Sequence, residues 1–148
     1  MSEALALHAV AALAAGLGAV CRLLLDGAVN ERIARREAPS TLPWGVIAVN
    51  LSGSLLIGVA AGLLALLSID GGTGSLSPAA GSWPFVASFG FLGGYTTFST
   101  ASYQTVRLAQ AGRWGAALLN GLGQLVVAAA GVGVGWGAAS GVVWLLGR

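Results

Sequence analysis

The sequence predicts an all-α integral membrane protein with four transmembrane helices in the chain, and three observations support this fold class. Of the 148 residues, 56% are hydrophobic and only 8% are charged, whereas water-soluble domains carry about 25% charged residues. Four apolar stretches each exceed the ~20 residues that a helix needs to cross a ~30 Å hydrocarbon core. Tryptophans lie near the predicted ends of these stretches, as in the aromatic belts at membrane interfaces.

The four stretches follow one another in a single predicted membrane domain, 1–148, with spans at about 4–25, 44–67, 83–108 and 116–140. The last stretch stays apolar to Leu146, so we expect its helix to tilt, to kink at its glycines, or to leave a separate tail from about Ser140. The first residues, Met-Ser-Glu, lack the basic region of a secretory signal, and we expect no cleavable signal.

Charge placement predicts the topology. Seven arginines face five acidic residues, and there is no lysine. The small basic excess reflects a scarcity of charge, so we expect no nucleic-acid partner. With four apolar spans, we expect a multi-pass protein of the cell's inner (plasma) membrane. Two linkers that four spans place on one side carry most of the arginines: Arg32, Arg35, Arg36, Arg107 and Arg113. Only Arg148 lies on the other side, so the positive-inside rule predicts both termini outside.

A run of glycines and hydroxyls interrupts the third span between Gly90 and Ser102. In hydrocarbon every backbone polar group needs a partner, so a broken helix, here near Gly93–Thr96, is tolerated only beside protein or a wet cavity. Such breaks are where membrane proteins place ion sites. No acidic residue lies deep in a span, which disfavours a proton-coupled drug or cation transporter. Hydroxyl and amide donors without carboxylates favour a small anion.

Other polar residues within the spans leave alternatives open. Arg22 is either an interfacial arginine or a cation at a pore mouth. Asn50 either joins helices or offers N–H donors to an ion. Asn120 and Gln124, one turn apart, favour helix association, although their roles stay open. The single Cys21 and single His8 cannot build a Cys/His metal cluster, and no nucleophile with a base or pair of carboxylates can be assembled, so we expect no enzyme.

Four pairs of glycines spaced four apart begin at Gly58, Gly90, Gly131 and Gly137. Such pairs let helix backbones approach closely, although glycine is abundant here and any one pair could be accidental. Four short helices can hardly enclose a pore by themselves, so we expect an oligomer.

Three motifs together resemble the Fluc (CrcB-like) fluoride channels. The run Gly-Phe-Leu-Gly-Gly-Tyr-Thr-Thr-Phe-Ser-Thr, 90–100, is similar to the signature of their third helix. Gly18-Ala-Val-Cys-Arg22 resembles their first-helix motif, and Pro43 to Ser54, with Asn-Leu-Ser-Gly-Ser at its end, resembles their second. The similarity covers nearly the whole chain, in order.

The resemblance implies an antiparallel dimer in the lipid bilayer with two pores that carry fluoride passively out of the cell and relieve its toxicity. It implies a structural Na⁺ at the dimer centre, held by the carbonyls of Gly93 and Thr96. It also implies a set of fluoride-pore residues: Asn50, Phe98, Ser99, Thr100 and Arg22.

The chain also departs from the family pattern. Ala101 stands where a second pore phenylalanine is usual, Gln104 where an acid is frequent, and Asn120 and Gln124 where a tyrosine and a serine are usual. The biased arginines fit a chain of fixed orientation. Both a homodimer and a heterodimer with an oppositely oriented homologue therefore stay open, as does a non-conducting partner subunit.

Overall fold

The computed structural model describes residues 3–35, 42–69 and 83–146, and within these ranges it contains helices and no strands. The predicted all-α class is therefore confirmed. The elements in chain order are α1 (Glu3–Ala34), α2 (Trp44–Ile69), α3 (Trp83–Tyr95), α4 (Phe98–Gln110), α5 (Trp114–Leu118), a π-helical turn (Leu119–Gly123) and α6 (Gln124–Leu146).

Three helical stretches within the described ranges are long and apolar enough to cross a membrane: Glu3–Ala34, Trp44–Ala65 and Trp114–Leu145. The third predicted span instead consists of α3 and α4, with 13 residues each. A helix of that length measures about 20 Å, which is shorter than the ~30 Å hydrocarbon core. Neither half could cross a membrane alone, and a crossing at this position needs both.

The first helix is longer than its apolar stretch predicts, because it continues past residue 25 to Ala34. Polar pairs one turn apart stabilise this extension. The Nδ2 of Asn30 donates to Asp26 Oδ1 over 3.0 Å, and Arg35 pairs with Glu31. At the other end of the chain, α6 passes through Ser140 without a break, so no separate tail begins there.

The helices pack mainly in two pairs, α1 with α3 and α2 with α6. Glycines make both contacts possible. A Cβ added to Gly18 would collide with the Phe91 carbonyl, and one added to Gly58 would collide with the Val132 carbonyl. By contrast, a Cβ at Gly137 or Gly141 would meet nothing within 4 Å, so this last pair is not the site of a close helix contact among the described residues.

One end of the bundle gathers the end of α1, the start of α2 and the end of α4. Residues from all three surround a cavity of about 250 Å³, among them Asn30, Val46 and Gln104. The last turns of α1 and α4 carry Arg32 and Arg107. The two linkers that begin after these turns therefore leave the bundle at the same end, as the predicted topology requires of them. Which side of a membrane this end faces stays a prediction. Arg36 and Arg148 lie outside the described residues.

Candidate functional site

The break between α3 and α4 falls at Thr96 and Thr97, just after the glycines that were expected to cause it. Gly93 is still helical, and the left-handed backbone that favours glycine does not occur here, since Gly112 alone has a positive φ among the described residues. Thr97 instead has an extended backbone, with φ −149° and ψ 120°, and its Oγ1 accepts from the Thr100 N–H as the N-cap of α4. A threonine cap therefore ends one helix and starts the next.

The break redirects two backbone donors. In a continuous helix the Thr97 N–H would bond to the Gly93 carbonyl, but here it donates to Asn50 Oδ1 over 2.9 Å. The Thr100 N–H would bond to the Thr96 carbonyl, but it donates to Thr97 Oγ1 over 3.2 Å. The carbonyls of Gly93 and Thr96 thus lack the donors that a continuous helix would supply.

Asn50 connects α2 to this break through both backbone polar groups of Thr97. Its Oδ1 accepts from the Thr97 N–H, and its Nδ2 donates to the Thr97 carbonyl, each over 2.9 Å. The same Nδ2 donates to Gln124 Oε1 on α6 over 2.9 Å. The Asn50 oxygen therefore replaces the acceptor that the Thr97 N–H loses at the break, and the Asn50 nitrogen adds a bond to the Thr97 carbonyl.

The chain of hydrogen bonds continues through a second and a third amide. Gln124 Nε2 donates to Asn120 Oδ1 over 2.7 Å. Asn120 Nδ2 then donates to the Ala101 carbonyl over 3.2 Å and to Thr105 Oγ1 over 2.7 Å. We call the three side chains of Asn50, Gln124 and Asn120 the amide relay. It links α2, α4, α6 and the π-helical turn.

The backbone fixes the direction of the amide relay. The Thr97 N–H can only donate, so the atom of Asn50 that faces it must be oxygen. The Ala101 carbonyl can only accept, so the atom of Asn120 that faces it must be nitrogen. Between these two ends each link has one donor and one acceptor, and no amide can be turned around without placing like atoms against each other.

The relay borders a cavity of about 490 Å³ between α2, α4 and α6. Polar side chains on its wall include Ser54 and Ser102, and apolar ones include Ile57 and Leu125. Phe98 also lies on the wall and is 84% exposed. No acidic residue lines the cavity, and the described ranges contain no group of three or more His, Cys, Asp or Glu that could hold a metal.

The structure brings some of the predicted site residues together and separates others. Asn50 and Phe98 line the large cavity. Ser99 and Thr100 do not line it, and their hydroxyls lie 3.3 Å and 3.0 Å from Thr97 Oγ1. Arg22 is half-buried on α1, away from the cavity.

Sequence reasoning missed Thr105 and did not predict that Asn50 would contact Gln124. The signal for Thr105 was its position four residues after Ala101, where a threonine can bond back to the helix carbonyl. It does so, over 2.9 Å. The pairing of Asn50 with Gln124 joins residues 74 positions apart, and no local pattern predicts such a contact.

Comparison with known proteins agrees with these features. Residues 9–136 match the family model described as CrcB-like protein, Camphor Resistance (CrcB). The chain is 44% identical to a protein of Leifsonia xyli subsp. xyli named Fluoride-specific ion channel FluC 1, over 84% of this chain and 80% of that one. It is 38% identical to one of Opitutus terrae named Fluoride-specific ion channel FluC, over 93% of this chain and 96% of the other.

A third relative, Fluoride-specific ion channel FluC 2 of Haloarcula marismortui, is 37% identical over 82% of this chain and 83% of its own length. The family-model match includes the break at Thr96 and Thr97 and all three residues of the amide relay. The chain belongs to the CrcB-like protein family.

Proposed function

We propose that this chain is a subunit of a fluoride-selective channel that carries fluoride passively out of the cell. The observation that carries the proposal is the cavity beside the helix break, with amide and hydroxyl groups and the Phe98 ring on its wall and no acidic residue among its lining. A small anion that sheds water needs hydrogen-bond donors in return, and an aromatic ring edge is electropositive. The relatives named as fluoride-specific ion channels support the same ion.

In this proposal α3 and α4 cross the plasma membrane together as the third of four spans. Ser99, which is exposed beside Phe98, and Thr100 complete the wall of the path in the assembled channel. Arg22 gathers anions near the entrance. Asn50 lines the path and holds the break at Thr97.

We further propose that a structural Na⁺ binds at the dimer centre. The carbonyls of Gly93 and Thr96 fit this ion, because the redirected N–H groups of Thr97 and Thr100 leave them without helical donors. Carbonyl oxygens at an unwound helix suit a hard monovalent cation. Gly93 is exposed, and a Cβ there would meet nothing within 4 Å, so a second subunit has room to approach.

Replacing Phe98 tests the anion path. Phe98→Ile removes the ring and should abolish or sharply slow fluoride efflux from proteoliposomes, measured with a fluoride-selective electrode and with chloride as the control anion. Phe85→Ile is the matched control, because the Phe85 ring stacks on Phe89, 4.6 Å away, and does not line the cavity. Efflux at the wild-type rate from Phe98→Ile would contradict a pore role for this residue.

The subunit arrangement needs a separate experiment. The family resemblance allows an antiparallel homodimer, and the arginine bias and Ala101 keep a heterodimer with an oppositely oriented homologue open as the alternative. The chain is expressed and purified alone. A stable homodimer with fluoride efflux would exclude an obligate heterodimer. No efflux from the chain alone, with efflux restored by a co-expressed homologue and unchanged by Phe98→Ile in this chain, would favour a non-conducting partner subunit.

The sodium proposal predicts that the dimer depends on the cation. Exchange of Na⁺ for a larger monovalent cation during purification should shift the protein from dimer toward monomer, since carbonyls spaced for Na⁺ bind a larger ion less well. The oligomeric state is followed by size exclusion with light scattering. A dimer that is equally stable in both cations would argue against the carbonyl site.

A further inference from the structure

The donors of the amide relay can be counted one by one, because each amide nitrogen carries two N–H groups. Asn50 gives one to the Thr97 carbonyl and one to Gln124 Oε1. Asn120 gives one to the Ala101 carbonyl and one to Thr105 Oγ1. Gln124 gives one to Asn120 Oδ1. Its second N–H has no partner in the described part of the chain, and the Gln124 side chain lines the large cavity.

The threonine hydroxyls around the cavity are also committed. Thr96 donates to the Leu92 carbonyl over 3.0 Å, and Thr105 donates to the Ala101 carbonyl over 2.9 Å. Thr97 donates to Thr100 Oγ1 over 3.0 Å. Ser54 and Ser102 are the remaining hydroxyls on the wall. Gln124 therefore supplies the one amide N–H of the relay that is available to a ligand.

The orientation of Gln124 is imposed from both sides. Asn50 presents a nitrogen to it, because the Thr97 N–H holds the Asn50 oxygen. Asn120 presents an oxygen to it, because the Ala101 carbonyl and Thr105 hold the Asn120 nitrogen. Asn120 is only 1% exposed and lies in the π-helical turn, so it has little room to rearrange.

We propose that Gln124 binds the permeating anion through its free N–H, and that Asn120 and Thr105 are positioning residues that keep this N–H, rather than the Gln124 oxygen, available to the cavity. The inference deepens the proposed fluoride channel and rests on it. Without Asn120 only the Asn50 nitrogen still orients the Gln124 amide. A larger fraction of channels would then have this amide turned over, with its partially negative oxygen toward the anion. A hydrogen bond to a charged group is stronger than one between neutral groups, so the orientation of this amide affects anion binding directly.

The first test measures the fluoride efflux rate as a function of fluoride concentration in proteoliposomes. Gln124→Met keeps the length of the side chain and removes the N–H, and Asn120→Leu removes the positioning amide. Both should raise the half-saturating fluoride concentration by about tenfold or more, as expected for the loss of one hydrogen bond to a charged group. Gln110→Met is the matched control, because Gln110 is exposed at the end of α4 and outside the relay.

Thr105 provides a graded test of positioning. Thr105→Val keeps the shape and removes the hydroxyl that accepts from Asn120, and it should raise the half-saturating concentration by a few fold. Thr105→Ser keeps the hydroxyl and should restore the wild-type value. If the relay only joined helices, these variants would give fewer folded channels and therefore a lower maximal rate. The half-saturating fluoride concentration would be unchanged in all of them. That pattern would overturn the inference.

A second measurement does not depend on efflux. The channel is labelled with ¹⁵N in its glutamine side chains, and the Gln124 signals are assigned by their loss in Gln124→Met. Fluoride should shift these signals while chloride should not, and in Asn120→Leu the shift should be lost. Gln124 signals that do not respond to fluoride in a channel with wild-type efflux would overturn the inference and leave the proposed function standing. Absence of fluoride efflux from the assembled wild-type channel would overturn the proposed function instead.

Discussion

The interface between α1 and α3 and the cavity region between α2, α4 and α6 hold the same bundle together by opposite means. Between α1 and α3 the contact depends on side chains that are missing, because Gly18 and Gly94 each lie against a backbone carbonyl of the other helix. In the cavity region α2 and α6 also pack closely at Gly58, but side chains that are present connect them to α4, because three amides link α2, α4 and α6.

The two regions therefore tolerate different kinds of substitution. A membrane offers no hydrophobic drive between helices, so close backbone packing and hydrogen bonds must hold them together. The α1–α3 interface is sensitive to added volume and indifferent to hydrogen-bond polarity. The amide relay is sensitive to polarity, and the cavity beside it leaves space for extra atoms.

Added volume at the α1–α3 interface should have the largest effect. Gly18→Val places methyl groups against the backbone of Phe91 and Tyr95, which cannot move aside as a side chain would. Overpacking typically destabilises a protein by ~1–3 kcal/mol even where the neighbours can shift. We therefore expect Gly18→Val to lower the free energy of unfolding by at least this amount and to give little folded protein. The yield of monodisperse protein and its thermal unfolding measure this.

The matched control is Gly16→Val on the same helix, since a Cβ at Gly16 would meet nothing within 4 Å. It should fold like the wild type. Equal loss in the two variants would show that helix α1 does not tolerate valine in general, and the contrast in packing would then be wrong.

Reversed polarity in the relay should act on transport more than on folding. Asn50→Asp keeps the acceptor for the Thr97 N–H but turns the second atom into an oxygen that faces the Thr97 carbonyl and Gln124 Oε1. The added negative charge also repels an anion in the cavity. We expect fluoride efflux to fall by at least tenfold. Gln110→Glu adds the same charge at the exposed end of α4 and should leave efflux near the wild-type rate. Unaltered efflux from Asn50→Asp would remove Asn50 from the proposed path.

The smallest effect should come from the cap at the helix break. Thr97→Ala removes the hydroxyl that accepts from the Thr100 N–H, and loss of an N-cap costs about 1 kcal/mol. Thr97→Ser keeps the hydroxyl and should restore the stability. Thermal unfolding in detergent compares the three proteins. If alanine and serine behave alike, the Asn50 amide alone maintains the break and the threonine cap adds nothing.

Much of the fold follows from local sequence. The apolar stretches predicted helices, and the glycine and hydroxyl run predicted the interruption of the third span within a residue or two of Thr96 and Thr97. The end of α1 was missed, because Asp26 and Glu31 do not look like membrane residues although each has a helical partner four positions on. Hydrophobicity sets the part of a helix that can sit in a membrane and does not set where the helix ends.

The site was predicted in parts and not as a whole. Asn50 and Phe98 were singled out by residue type, and both line the cavity. Thr100 was assigned to the same wall, yet its hydroxyl lies against Thr97, because a residue three positions after an N-cap turns back toward the cap. The relay joins side chains from distant parts of the chain, so its order and direction depend on tertiary packing that no periodicity contains.

The π-helical turn at Leu119–Gly123 sets which direction the residues of α5 face relative to those of α6. An α-helix rotates by about 100° per residue, so the additional residue of a π-turn rotates α5 and Asn120 by roughly that angle relative to the glycines of α6. Deleting the exposed Leu122 would leave an apolar helix of almost the same length and hydropathy. Asn120 would then point away from Ala101. The shortened chain and the natural one would look equally able to cross a membrane, yet they would present different atoms to an ion.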